Sequence, residues 1–182
     1  MYDQVLVARR EVKKKLNHVV LMGTGEPLDN LEQVLKFIGQ ITGPHSLRFS
    51  MRHITISTCG LIPGIQALME HKLPITLAVS LHAPDDALRS QLMPVNQKYP
   101  LAQLLEVCAL YATFTGRRIT FEYALLAGIN DKVQQAEQLA SLLQGMLCHV
   151  NLISYNSVVG KGYHPTAPDK VEPFRKTLER CV

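Results

Sequence analysis

Five short runs of apolar and β-branched residues, each followed by a longer stretch of helical periodicity, limit this 182-residue chain to a narrow set of folds. The runs are HVVLMG (18–23), HITISTC (53–59), ITLAVSLH (75–82), RRITFEYALL (117–126) and HVNLISYN (149–156). Several are nearly continuous in hydrophobic character, as strands are when helices cover the sheet they form. Helical stretches are predicted around 31–41, 61–71, 101–114, 132–145 and 168–180. The third carries Leu101, Leu104, Leu105 and Cys108 at helical spacing, and the fourth Leu139, Leu142 and Leu143 beside polar Gln135 and Gln138. Asn130 or Asp131 can cap the fourth, and Pro168 suits the first turn of the last. Such an order builds parallel βα units joined by right-handed crossovers.

An open doubly wound sheet and a β/α barrel both satisfy that order, and both collect ligands at the C-terminal ends of their strands. Every run here ends in or near polar residues: Gly25-Glu26, Ser57-Thr58, Ser80-Leu81-His82, Glu122 and Asn156. Five such endings converge most economically around the mouth of a barrel. The expected fold is therefore α/β, a partial β/α barrel with parallel strands, in one domain over 1–182. The loop SVVGKGYHPTAPD (157–169) is a candidate lid or partner-contact surface.

Composition supports a folded chain. It is 47% hydrophobic and 19% charged, and a chain of this length buries about 70% of the surface exposed when unfolded. No stretch reaches the length of a membrane span, and MYDQVLVARREVKKK lacks the apolar core of a secretory signal, so a cytoplasmic location is expected. That segment reads as a helix with Val5, Leu6 and Val12 inward and Arg9, Arg10 and Lys13 to Lys15 in water. The net charge of +4 permits an anionic partner without requiring one. The four cysteines, Cys59, Cys108, Cys148 and Cys181, form no clustered metal motif. The first three sit among apolar residues, as small buried side chains do. Cys181 is expected to be exposed.

GTGEP is neither a phosphate loop nor a dinucleotide fingerprint, because the lysine and the glycine spacing those motifs need are missing. Its glycines let backbone approach a ligand, and Glu26 can accept hydrogen bonds from a cationic amine; alternatively Glu26 caps the helix that begins near Asn30. The Ser57 and Thr58 hydroxyls can hold a ligand carboxylate or ribose hydroxyl, or bond to the local turn. His82 can be a base, a stacking platform, a neutral donor or a satisfied interior histidine. Asp85 or Asp86 can begin the next short helix. Arg89, Asn96, Lys98 and Tyr99 suit either an anion-facing rim or a solvated loop. A carboxylate such as Glu122, set in an apolar strand, must be paired, and Arg118, Lys98, a backbone donor or a ligand are the candidates. Asn156 can read a nucleoside edge or sugar, or form a turn.

Taken together, VLMGTGEPLDN (20–30), ITISTCG (54–60), AVSLHAPDDALRSQLMPVNQKYP (78–100) and RRITFEYALLAGIND (117–131) resemble the radical S-adenosylmethionine RNA methyltransferases that modify C2 of adenosine in 23S ribosomal RNA and transfer RNA. The phrases occur in family order, and any one alone would be weak. The resemblance implies that Gly25 and Glu26 bind the amino group of S-adenosylmethionine, with Ser57, Ser80, Leu81, His82 and Asn156 as further cofactor contacts. It implies a [4Fe-4S] cluster in the complete enzyme, held by a C-x3-C-x2-C loop that has no counterpart in this sequence, and a methyl-carrying cysteine whose context Cys181 does not match. The serines of ISYNSVVG stand where the family generally has prolines.

The expectation is accordingly a segment lacking the first barrel strand, the cluster loop and the methyl-accepting cysteine. It has no catalytic residue and no metal ligand of its own, and is inactive in isolation. Its partners are expected to be 23S rRNA and tRNA, with a complementary polypeptide or a second copy at the exposed strand edge and no membrane. A noncatalytic cofactor-binding or RNA-associated remnant is the alternative.

Overall fold

The computed structural model describes residues 1–12, 16–44, 46–158, 160 and 162–181. The expectations for Lys13 to Lys15 and for the Cys181 side chain lie outside what is described. In chain order the elements are α1 (Tyr2–Glu11), β1 (Val19–Leu21), α2 (Leu31–Thr42), β2 (Ile54–Thr58), α3 (Ile62–Glu70), β3 (Thr76–Ser80), α4 (Asp86–Leu92), α5 (Leu101–Thr115), β4 (Ile119–Leu125), α6 (Val133–Leu143), β5 (Cys148–Ser154) and α7 (Pro168–Cys181). Short 3-10 turns at Pro27–Asn30, Met51–His53 and Pro94–Gln97 complete the set.

The five strands form one sheet in the order β1-β2-β3-β4-β5, and every pairing is parallel. That order decides between the two folds the sequence left open. A doubly wound sheet reverses its strand order at a switch point, whereas right-handed crossovers that always step the same way leave every helix on one face. The chain is thus a partial β/α barrel, as expected.

The two-residue alternation of the strands agrees. Ile54, Ile56, Leu77, Val79, Ile119, Phe121, Tyr123 and Leu125 belong to the buried core against the helices. The intervening positions face the other way and run in register across the sheet: Val20, Thr55 and Thr76; Ser57, Ala78, Thr120 and His149; Ser80, Glu122 and Asn151. Most of them are polar, and Val20 and His149 are exposed. Among the described residues β1 pairs only with β2, so its other edge has no ladder partner.

Helix packing follows the amphipathic pattern. Val34, Phe37, Ile38 and Ile41 of α2, Ile62, Ile65 and Leu68 of α3, and Leu139, Ala140 and Leu143 of α6 are buried. Gly64 lets α3 lie directly on the 3-10 turn, since a Cβ there would stand 2.6 Å from Leu28 Cβ. Two local expectations are corrected. Val12 is 44% exposed because α1 ends at Glu11 and Val12 is already extended. Neither Asn130 nor Asp131 caps α6. The Lys132 amide is instead closed by Gln135 Oε1 at 3.0 Å, which frees Asn130 and Asp131 for the buried bracket described below.

Candidate active site at the strand ends

Glu26 stands at the exit of β1, where Gly25 takes φ +98° with no heavy atom within 4 Å of a built Cβ. Open space beside a left-handed glycine is what close approach of a ligand requires. The Glu26 carboxylate accepts the Leu28 N–H on Oε1 at 3.0 Å and the Cys59 N–H on Oε2 at 2.8 Å. The first bond caps the turn Pro27–Asn30, so the capping role is real. It does not exhaust the group, because an ionised carboxylate offers about four lone-pair sites. A cleft of about 530 Å³ opens here, lined in part by Met22, Gly25, Glu26 and Asn30. Ser57, Ser80 and His82 are not among its lining residues; Ser57 and Ser80 belong to the helix-free face of the sheet.

β2 and β3 carry the second part of the site. Thr58 is turned to local use, its hydroxyl accepting the Gly60 and Leu61 N–H groups at 3.1 and 3.3 Å. Ser57 points to the opposite, helix-free face, in register with Ala78, and Ser80 follows two residues on, in register with Glu122. Glu122, 6% exposed, meets none of the expected cations. Its Oε2 accepts the Asn151 Nδ2 amide at 2.7 Å from the neighbouring position of β5. No sequence pattern announced Asn151, because the partner is set by strand register.

His82 takes φ +58°, and its Nδ1 accepts the Ala124 N–H at 3.1 Å. Burial first, and then the nearby Arg89 cation, lower its pKa to about 4. The imidazole is therefore neutral near pH 7. With Nδ1 accepting, the proton sits on Nε2, and His82 presents a donor rather than a base. Its backbone is fixed by Asn130, fully buried, whose amide donates to the carbonyls of His82 and Ala124 at 2.8 and 2.7 Å while its oxygen accepts the Leu126 N–H at 2.7 Å. Asp131 extends this bracket, accepting from the Gly128 N–H at 2.9 Å and the Thr166 hydroxyl at 3.1 Å.

Arg89 and Asn96 do not form a solvated rim. Arg89 is fully buried and Asn96 2% exposed. The Arg89 guanidinium donates to the carbonyls of Cys59, Ser80 and Leu81 and to Asn96 Oδ1. Asp85 caps α4 through the Leu88 N–H, and Asp86 accepts from the Leu101 N–H and from Asn96, bonds that hold its carboxyl below the usual range. Asn156 lies two residues beyond β5, exposed.

The described residues do not fit an iron–sulfur cluster. Among the described residues no group of three or more His, Cys, Asp or Glu is placed to hold a metal ion. Burial pushes the Cys108 thiol up to about 12, and burial with the adjoining Glu26 carboxylate does the same at Cys59, whereas a cluster needs thiolates.

No family model matches the chain. It is 55% identical over 180 residues to the probable dual-specificity RNA methyltransferase RlmN of Desulforamulus reducens, covering 99% of this chain and 51% of that protein. It is 56% identical to the protein of the same name from Pelotomaculum thermopropionicum, covering 99% and 49%. The crystal structure of a radical SAM methyltransferase from Sphaerobacter thermophilus superposes with a TM-score of 0.95 at 41% identity, over 99% of this chain and 54% of that one. A domain of a pyruvate-formate lyase-activating enzyme from Bacteroides vulgatus shares the fold alone, with a TM-score of 0.68 at 16% identity, over 91% of this chain and 94% of that one.

Same-direction strand order and one helix-covered face make the chain a partial β/α barrel, and its likeness to the Sphaerobacter structure makes that barrel one of the radical S-adenosylmethionine type. Within that class the chain's homologues are the dual-specificity RNA methyltransferases RlmN, and it spans about half the length of the curated relatives it matches.

Proposed function

We propose that this chain is the S-adenosylmethionine-binding part of an RNA methyltransferase that modifies adenosine C2 in 23S rRNA and tRNA. The observation that carries the reading is that Gly25-Glu26, Ser57 and Ser80 to His82 follow or end the neighbouring parallel strands β1, β2 and β3, in a chain 55% identical to a probable RlmN over about half that protein's length. In this reading Glu26 accepts hydrogen bonds from the ammonium of the cofactor with the lone pairs its backbone donors leave free. Ser57 and Ser80 supply hydroxyls from one face, neutral His82 supplies its Nε2–H, and Asn156 supplies an amide from the far end of the sheet. Bound S-adenosylmethionine contributes an activated methyl group on sulfur. The chain's own residues orient that molecule and keep water from its charged end.

The cysteine spacing favours a chain that binds cofactor without turning over alone, because Cys59, Cys108, Cys148 and Cys181 are dozens of positions apart and no metal-holding group of His, Cys, Asp or Glu occurs among the described residues. No step through a cluster is therefore assigned to it. RNA is the partner this reading implies, together with a polypeptide strand at the free edge of β1.

Calorimetric titration of the folded chain with S-adenosylmethionine tests the pocket, and a saturable one-to-one isotherm is expected. A chain with an intact circular dichroism spectrum and no heat of binding at millimolar ligand would remove the reading. Anaerobic incubation with iron and sulfide, followed by an RNA methylation assay, tests the second point; turnover by this chain alone would overturn it.

A further inference from the structure

The parallel ladder between β2 and β3 stops at Thr58 and Val79. Beyond it the next two carbonyls, of Cys59 and Ser80, no longer serve that ladder. Both are taken by one nitrogen, Arg89 Nη2, at 2.9 and 3.0 Å. Arg89 Nε reaches the Leu81 carbonyl at 3.3 Å, and Nη1 is held by Asn96 Oδ1 at 2.9 Å. A planar guanidinium with fixed donor directions thus sits between two strand ends that have parted company. β3 and β4 stay together over the same stretch, since the Leu81 N–H donates to the Glu122 carbonyl at 3.0 Å. The gap is specific to the β2 side.

This placement is costly without a return. A buried guanidinium forfeits its hydration, and burial does lower the Arg89 pKa. Among the described residues no carboxylate bonds to it directly; Asp86 reaches it only through Asn96 Nδ2 at 2.8 Å. The space beside it is tight: a Cβ at Gly60, where φ is +101°, would stand 2.9 Å from Leu104 Cδ2 and 3.1 Å from Arg89 Nη2. The peptide that Arg89 holds by the Cys59 carbonyl is preceded by the Cys59 N–H that Glu26 accepts, so one residue links the acid of β1 to the wedge.

We propose that Arg89 is a positioning residue for the strand-end pocket, a wedge that holds the ends of β2 and β3 apart at the separation that lets Glu26, Ser80 and His82 address one ligand. The proposal rests on the cofactor reading above. Asn96 is part of the device, because it fixes the rotation of the guanidinium and is itself fixed by Asp86 and the Ser90 hydroxyl.

The test uses Asn96→Ala, which keeps the buried cation and removes one anchor, and Arg89→Lys, which keeps charge and loses the fork. Leu139→Ala, a core truncation in α6, serves as a control for general destabilisation. Amide hydrogen exchange, thermal melting and calorimetric titration with S-adenosylhomocysteine are read on each. In Asn96→Ala, faster exchange at Cys59 and Leu81 with the core strands still protected is expected, with affinity lowered about tenfold. Arg89→Lys is expected to restore less than half of the affinity that a neutral Arg89→Met loses. Affinity within twofold of the wild type despite localised exchange would overturn the proposal, as would an equal loss in Leu139→Ala. Should the wild-type chain bind no probe, the cofactor reading fails on its own. The exchange data then decide the wedge, and global rather than local loss of protection in Asn96→Ala would sink it.

Discussion

Glu26 and Cys59, 33 positions apart in sequence, are joined by a 2.8 Å hydrogen bond from the Cys59 N–H to Glu26 Oε2. This bond ties the exit of β1 to the exit of β2 and leaves the carboxylate facing a cleft with acceptor capacity to spare. Replacing Glu26 by Gln removes the charge and sets an amide NH2 against one of two backbone donors. The expected stability loss is about 1–2 kcal/mol by chemical denaturation. The affinity for S-adenosylmethionine is expected to fall about 10- to 100-fold, since the neutral amide no longer forms a charge-assisted bond to the ammonium. A variant that binds as tightly as the wild type would confine Glu26 to capping.

Asn130→Ala removes one acceptor and two donors from a fully buried bracket and orphans the Leu126 N–H and the carbonyls of His82 and Ala124. A loss of roughly 3 kcal/mol is expected from urea unfolding, with the loop after β4 exchanging its amides first. Asn130→Asp is expected to be worse, because an anion would face two carbonyl oxygens.

His82 makes stability depend on pH. Its folded pKa, about 4, lies below the ordinary 6.5, so the unfolded chain binds the extra proton between those values. The contribution is complete above about pH 6.5 and is lost as pH falls toward 4, amounting to about 3 kcal/mol. Denaturant midpoints for the wild type and His82→Gln should converge across that window. Parallel curves from pH 7 to 4 would contradict the assignment.

Gly64→Ala forces a methyl to 2.6 Å from Leu28 Cβ. A cost of about 1–3 kcal/mol is expected, and part of it should return in the double variant with Leu28→Ala. Additive losses would place the strain elsewhere.

The free edge of β1 stands beside Val20, 54% exposed, and Met22, 52% exposed. Unpaired strand edges flanked by apolar side chains template association. Sedimentation velocity should show concentration-dependent association of the chain that Val20→Lys suppresses. A monomer that persists to high micromolar concentration would end that expectation.

The βα alternation, the helix starts at Pro168 and near Asn30 and the polar strand ends were legible in the sequence because each depends on neighbours within one turn or one strand. Arg89, Asn96, Asn130 and Asn151 were not. A loop containing Arg89 and Asn96 has the composition of a solvated rim, and AGIND has that of a helix cap; nothing local distinguishes a polar residue bound by water from one bound by distant carbonyls.

The amino-acid sequence by itself therefore determined the strands, their parallel direction and the residues they present at their ends, since short apolar runs, the 3.6-residue period of the helices and the order in which the two alternate are written in neighbouring side chains. Only the tertiary structure decided that the strands run in sequential order, that Glu122 finds Asn151, and that a guanidinium separates β2 from β3. Each of these needs groups tens of residues apart to meet, and which meeting wins is set by burial and hydrogen-bond satisfaction over the whole core.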